Sequence, residues 1–124
     1  MKFAVLAALM AIAMPAPAVA ADWVFIGDSV SEQEIYVDLQ SIRTMPNGYK
    51  RAWNKIDFTK AHKDGYTSVK GYGEYDCIEK RRRSISFIFF KGKQSSTTSN
   101  KVGEWNYSAP ESISESLLEF VCRK

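Results

Sequence analysis

The sequence has little of what most enzyme and metal sites need. Its 124 residues include one histidine and two cysteines, and the cysteines do not form a Cys-x-x-Cys pair. Nucleophilic catalysis needs a nucleophile beside a base, and a zinc site needs several converging ligands. His62 alone supplies neither, so an ordinary surface histidine is the expected role. The sequence therefore predicts no catalytic residue, no metal and no cofactor.

The charge balance argues against a second class of function. Seventeen lysines and arginines accompany 14 aspartates and glutamates, which leaves a formal net charge of +3. A nucleic-acid-binding domain usually carries a much stronger basic excess, because its contacts to phosphate groups need cations. We therefore expect no nucleic-acid partner.

Long hydrophobic runs are also missing. The continuous apolar run, residues 3–14, is shorter than the roughly 20 residues that a membrane-spanning helix requires. It follows the basic Lys2 and precedes the small residues Ala18-Val19-Ala20, which is typical of a secretory signal peptide. We predict a signal peptide over residues 1–20 and one exported domain over residues 21–124. No lipid-attachment cysteine follows Ala20, so the periplasm is the favoured location, with the cell surface and secretion as alternatives.

The two cysteines, Cys77 and Cys122, both lie in the predicted exported domain. An even number of cysteines in an oxidising compartment favours a disulfide, and only one pairing is available. By the chain-entropy argument, a bridge that closes so long a loop contributes at most about 4 kcal/mol. Two free thiols at a metal or redox site are the alternative, and the distance of His62 in the sequence weighs against it.

The centre of the chain predicts a β-hairpin. Glycines alternate with polar residues before Cys77, and the apolar stretch 85–90 follows a run of four basic residues. A connection with an odd number of residues, such as 78–80, would let large rings cover the bare glycine backbone and pair charges on the polar face. It would place three pairs of residues opposite each other: Phe87 and Gly71, Ile85 and Gly73, Arg82 and Asp76.

The remaining segments predict more strands and one helix. Segments 23–27, 35–37 and 49–58 are strand-like, and Asp38 is placed to cap a single helical turn. The stretch 91–103 lacks periodicity and predicts a mobile loop, after which Trp105 returns the chain to the sheet. A capping box at Ser108 and apolar residues at helical spacing predict a final helix that carries Cys122. The expected fold class is α+β, an antiparallel sheet of about five or six strands with one C-terminal helix packed on one face and tied by the disulfide.

The order of these features resembles the surface-adhesin protein E family of Gram-negative bacteria. The matching residues cover nearly all of the predicted domain: Trp23-Val24, Tyr36-Val37-Asp38, Ser41-Ile42-Arg43, Ala52-Trp53, Asp64-Gly65-Tyr66, Tyr75-Asp76-Cys77, Glu79, Arg81-Arg82, Pro110 and Val121-Cys122. The resemblance implies an antiparallel sheet with a disulfide-tethered C-terminal helix. It also implies adhesion to host extracellular-matrix and plasma proteins.

Six residues make up the predicted binding patch: Lys80, Arg81, Arg82, Arg83, Trp53 and Tyr72. The basic run could attract a protein or an acidic glycan, or its acidic neighbours could simply neutralise it at a solvated hairpin end. The aromatic residues could line a partner or homodimer surface, or pack at a sheet edge. We expect a non-enzymatic, adhesin-like binding module; the alternative is a periplasmic regulator or inhibitor of an envelope enzyme.

Overall fold

A computed structural model describes residues 20–28 and 33–124 of the chain, so the predicted signal peptide, apart from Ala20, lies outside the described residues. Within them, eight strands form one antiparallel sheet: β1 (Trp23–Asp28), β2 (Gln33–Asp38), β3 (Arg43–Thr44), β4 (Lys50–Phe58), β5 (Ser68–Asp76), β6 (Arg81–Lys91), β7 (Gln94–Ser99) and β8 (Asn106–Tyr107). The main order is β1-β2-β4-β5-β6-β7, with β3 paired to β4 and β8 paired to β6. A 3₁₀ turn, Leu39–Ser41, and the helix α1, Ile113–Cys122, complete the fold. The predicted α+β class is confirmed.

Alternation along the strands gives the sheet two different faces. On the helix face, apolar side chains of the strands pack against α1 and form the core: Ile35, Val37, Ala52, Tyr75, Leu117, Leu118 and Val121. Full burial of one aliphatic side chain is worth about 1.5–3 kcal/mol, so this layer is the main source of stability. The opposite face, which we call the outer face, carries mostly charged and aromatic side chains.

A disulfide and a lysine hold the end of α1 to the sheet. Cys77 follows β5 directly and is bonded to Cys122, with the two Cα atoms 5.7 Å apart. This confirms the predicted pairing. The Nζ of Lys50 donates to the backbone carbonyl oxygens of Val121 and Lys124. A cation is favourable there, because the C-terminal end of a helix carries partial negative charge.

The helix begins later than the sequence predicts. Ser112, not Ser108, is the N-cap, and its Oγ accepts a hydrogen bond from the backbone N–H of Glu115 at 3.1 Å. Both serines are followed three residues later by glutamate, so both fit the capping-box pattern. Glu111 has a φ of 62°, in the left-handed region, and a helix begun at Ser108 could not continue through it.

The β5–β6 hairpin confirms one of the three predicted pairs and contradicts the other two. Phe87 lies opposite Gly71 as predicted, but Gly73 pairs with Ser84, and Asp76 pairs with Arg81 rather than Arg82. The connection 77–80 has four residues instead of an odd number, and a β-bulge after Tyr72 absorbs the difference. One consequence is that Arg82, rather than the predicted Ile85, covers Gly73 on the helix face.

The prediction of a mobile loop over residues 91–103 is wrong for its central part. Residues 94–99 form β7, which pairs with β6 at the edge of the sheet. The strand was not recognisable in the sequence, because all of its side chains are polar and show no alternation. Backbone hydrogen bonds to β6, rather than burial of an apolar face, hold it in place.

Candidate binding surface

The outer face carries the predicted aromatic pair near its centre. Trp53 of β4 lies directly opposite Tyr72 of β5. Their ring centroids are 5.1 Å apart and the ring planes differ by 21°, so the rings are stacked. Both side chains are half-buried. Cross-strand stacking of this kind fixes the rings and leaves a flat, partly exposed aromatic platform on the face that α1 does not cover.

Two lysines beside this platform lie against other aromatic rings. The Nζ of Lys55 is 4.6 Å from the ring centre of Tyr36 and 5.3 Å from that of Trp23. The Nζ of Lys70 is 4.9 Å from the ring centre of Phe90. Such contacts favour this position of the ammonium group, because the face of an aromatic ring attracts a cation. Sequence analysis missed both lysines, since their partners are distant in the sequence and only the strand order brings them together.

A buried carboxylate lies between two arginines of the outer face. Glu74 is fully buried. Its Oε2 accepts a hydrogen bond from Nε of Arg51 at 2.7 Å, and its Oε1 accepts from Nε and Nη2 of Arg83 at 2.9 and 2.6 Å. The bond to Glu74 raises the pKa of Arg51 and outweighs its partial desolvation, which acts in the opposite direction. One carboxylate thus orders two guanidinium groups.

Trp105 covers this ion cluster from the segment before β8. Its ring centre is 4.6 Å from Cζ of Arg81, 4.4 Å from Cζ of Arg83 and 5.0 Å from the ring of Tyr49. The backbone N–H of Gly103 donates to a β6 carbonyl at 2.8 Å and fixes the segment on the sheet. The expected return of the chain to the sheet at Trp105 is confirmed. The tryptophan ring covers the guanidinium groups of Arg81 and Arg83.

Asp76 provides the counter-charge for Arg81. The two residues are opposite each other in the hairpin, and Nε of Arg81 donates to Oδ2 of Asp76 at 2.9 Å. Burial acts to raise the pKa of Asp76, but the hydrogen bonds from the backbone N–H of Glu79 and from Arg81, with the charge of Arg81, outweigh it. The pKa of Asp76 therefore lies below its usual value. Asp76 and Arg81 are both charged at neutral pH.

The six residues of the predicted patch occupy different places. Trp53 and Tyr72 form the platform, and Arg81 and Arg83 lie under Trp105 with carboxylate partners. Lys80 is exposed in the hairpin turn. Arg82 points to the helix face, where its Nη2 donates to Oδ1 of Asn54 at 3.1 Å. Because side chains alternate along β6, the four consecutive basic residues do not share one surface.

A depression of about 560 Å³ lies beside the disulfide. Its two acidic residues, Glu115 and Glu119, both belong to α1 and line it from one side. Residues 20–28 and 33–124 contain no group of three or more potential metal ligands. Nor does this part of the chain include a helix long and apolar enough to cross a membrane.

The profile of the surface-adhesin protein E family matches residues 23–123. The chain belongs to this family. Membership confirms the resemblance drawn from the sequence and supports a binding protein of the surface-adhesin type.

Two solved structures of Haemophilus influenzae protein E share the fold. One is 13% identical, with a TM-score of 0.60, and the match covers 89% of this chain and 94% of that chain. The other is 12% identical, with a TM-score of 0.59, over 89% of this chain and 90% of that chain. No curated protein matches the chain significantly.

Proposed function

We propose that the protein is an exported, non-enzymatic binding module that takes a macromolecular partner on its outer face. The observation that carries the proposal is the stacked, partly exposed pair of Trp53 and Tyr72 on the face away from α1. Tryptophan, tyrosine and arginine are the residues most enriched among interface anchors. Side chains that are already ordered lose little conformational entropy on binding. Membership of an adhesin family supports the same role.

A protein partner is favoured over an acidic glycan. Arg51 and Arg83 share the carboxylate of Glu74, and Arg81 is paired with Asp76. A polyanion draws affinity from cations that lack such partners. In our proposal the arginines orient Trp105 and the neighbouring backbone, and the aromatic rings supply the contact. A second copy of this chain, which would make a homodimer, is the competing occupant of the outer face.

Location decides between two forms of the proposal. A surface-displayed protein could contact host matrix or plasma proteins as an adhesin, whereas a periplasmic one could regulate or inhibit an envelope enzyme. Protease treatment of intact cells, followed by fractionation, distinguishes them. Cleavage of the protein on intact cells supports the adhesin, and protection until the outer membrane is opened favours the regulator.

Binding to immobilised extracellular-matrix extract and plasma proteins tests the role of the platform. We expect Trp53→Ala combined with Tyr72→Ala to weaken binding by about tenfold or more, as is typical for loss of an interface anchor. Ile78→Ala removes an apolar side chain that is 91% exposed in the hairpin turn and should leave binding unchanged. Unchanged binding by the double variant would contradict the proposal. Light scattering of the same samples tests the homodimer. Binding that is lost as the salt concentration rises, but is unaffected by the double substitution, would favour the glycan.

A further inference from the structure

A second partly exposed surface lies on the helix face, beside α1. Ile56, Val69, Phe87 and Phe89 are half-buried there and do not belong to the core that α1 covers. The rings of Phe87 and Phe89 meet edge to face with centroids 5.5 Å apart, and Tyr66 extends the cluster at 4.8 Å from Phe89. Three neighbouring strands therefore present a continuous apolar surface.

Arg82 lies at the border of this surface and has no carboxylate partner among the described residues. Its Nη2 donates to the neutral amide oxygen of Asn54 at 3.1 Å. Asn54 lies opposite Gly71, which in turn lies opposite Phe87, so the guanidinium group is next to the apolar surface. A partly desolvated guanidinium without a counter-charge is unfavourable, and an incoming carboxylate would relieve that cost.

Two buried polar atoms, one of them within this guanidinium group, lack a hydrogen-bond partner. They are Nε of Arg82 and the hydroxyl of Tyr75. Each atom lies 3.1 Å from the position that a Cβ on Gly73 would occupy, so both flank the same point. Nε–H is a donor and the tyrosine hydroxyl can donate or accept, so one incoming carboxylate oxygen could accept from both atoms. Leaving such a group unsatisfied in the interior is unfavourable.

On the helix face, the described strands supply no negatively charged acceptor of their own. By the register, the acids of β2, β4 and β5 all lie on the outer face: Glu34, Asp38, Asp57, Glu74 and Asp76. The described charged side chains of the strands on the helix face are Lys50, Arg82 and Lys91, and all three are basic. A second copy docked through the same strands would place like charges together and offer Arg82 no carboxylate. The surface therefore fits a different protein better than another copy of this chain.

We propose that Ile56, Val69, Phe87, Phe89 and Arg82, here named the helix-side patch, dock a protein segment that presents a carboxylate among apolar side chains. The carboxylate pairs with the guanidinium of Arg82 and accepts the free N–H after a small rotation of that side chain. Apolar side chains of the segment pack on the two phenylalanines. An arginine within an apolar surround is a common interface anchor. This site is separate from the outer face and does not depend on its partner.

The test uses the folded, disulfide-bonded protein and two synthetic peptides, followed by NMR. One peptide has a single glutamate between phenylalanine and leucine, and the other has glutamine in its place. We expect the glutamate peptide to shift the Nε–H resonance of Arg82 and the amides of Gly73 and Phe87. The glutamine peptide should bind about tenfold more weakly. Arg82→Gln should abolish the difference, and Lys80→Gln, which removes an exposed cation from the adjacent turn, should preserve it.

A further variant keeps the charge and displaces the group. In Gly73→Ala the added Cβ would stand 2.9 Å from Nη2 of Arg82, so the guanidinium must move. This variant should also lose the preference for glutamate, which covers the case in which Arg82→Gln does not fold. Equal affinity for both peptides would overturn the proposal. The proposal would also fail if the same resonances shifted with rising protein concentration in the absence of peptide. It would fail likewise if decanoate shifted these resonances while neither peptide did.

Discussion

The Oε1 of Glu74 lies 2.6 Å from Nη2 of Arg83, and no part of the Glu74 side chain is exposed. This pair belongs to the outer face, so the sheet has a small buried polar cluster on one side and an apolar core on the other. The ring centre of Trp105 lies 4.4 Å from Cζ of Arg83. The outer face is therefore ordered by its own contacts rather than by α1.

The first prediction concerns that carboxylate. Glu74→Gln leaves the guanidinium groups of Arg51 and Arg83 without their shared counter-charge, and we expect a loss of about 2–3 kcal/mol in the free energy of unfolding. Urea denaturation measures it. Glu79→Gln, an exposed change in the hairpin turn, should stay within about 0.5 kcal/mol of the parent protein. Equal effects of the two substitutions would show that the buried carboxylate is dispensable.

The second prediction is a pH dependence set by Asp76. Its pKa in the folded protein lies below its usual value, whereas the unfolded chain titrates near the reference value of about 3.9. The unfolded state thus takes up the proton first as the pH falls. The contribution of Asp76 is fully present above the unfolded pKa and is lost as the pH falls through the folded pKa.

Denaturation at several pH values between neutral and about 3 measures this contribution. Asp76→Asn should be less stable at neutral pH and should lose less stability on acidification than the parent protein. Asp28→Asn, which changes an exposed acid at the end of β1, should retain the parental slope. Parallel stability curves for the parent and Asp76→Asn would contradict the assignment.

The third prediction concerns the disulfide. Replacing Cys77 and Cys122 together by alanine removes a bridge between residues 45 positions apart and should lower the free energy of unfolding by up to about 4 kcal/mol. Hydrogen exchange should then rise first in α1, because its end is no longer held. Ile78→Ala changes a side chain that is 91% exposed beside the bridge and serves as the control. A loss below about 1 kcal/mol would mean that core packing alone holds the helix.

The fourth prediction compares two glycines. An added Cβ at Gly73 would lie 3.1 Å from the hydroxyl of the buried Tyr75 and closer still to Arg82. We expect Gly73→Ala to cost about 1–3 kcal/mol through overpacking. At Gly103 the nearest atom would be 3.6 Å away, an ordinary contact, so Gly103→Ala should be tolerated. Thermal unfolding of both variants checks the contrast, and a tolerated Gly73→Ala would refute the close packing over this strand.

The register of the β5–β6 hairpin was predicted only in part from the sequence. Alternation correctly placed Phe87 opposite Gly71, because the period of a strand is a local property. The pairing of Asp76 was wrong, since one β-bulge shifts the register and no residue between 69 and 90 signals it. The same shift moved Arg82 to the other face. The sequence therefore did not indicate that the basic residues of the predicted patch divide between two faces.

Trp105 and Glu74 illustrate the remaining gap. Glu74 accepts hydrogen bonds from Arg51 and Arg83. Trp105 packs against Tyr49 and Arg81. In each case the contacting residues are distant in the sequence. No local pattern marks such a contact. Only a complete strand order and register could have revealed it.

The sequence by itself determined the α+β class, the pairing of Cys77 with Cys122 and the apolar stripe of the last helix. Cysteine count, side-chain period and turn residues are local or countable properties of a chain, and they suffice for those features. Tertiary structure decided which side each basic residue faces and which of them meets a carboxylate. Those outcomes depend on strand register and on contacts across the sheet, where a displacement of one residue exchanges the two faces.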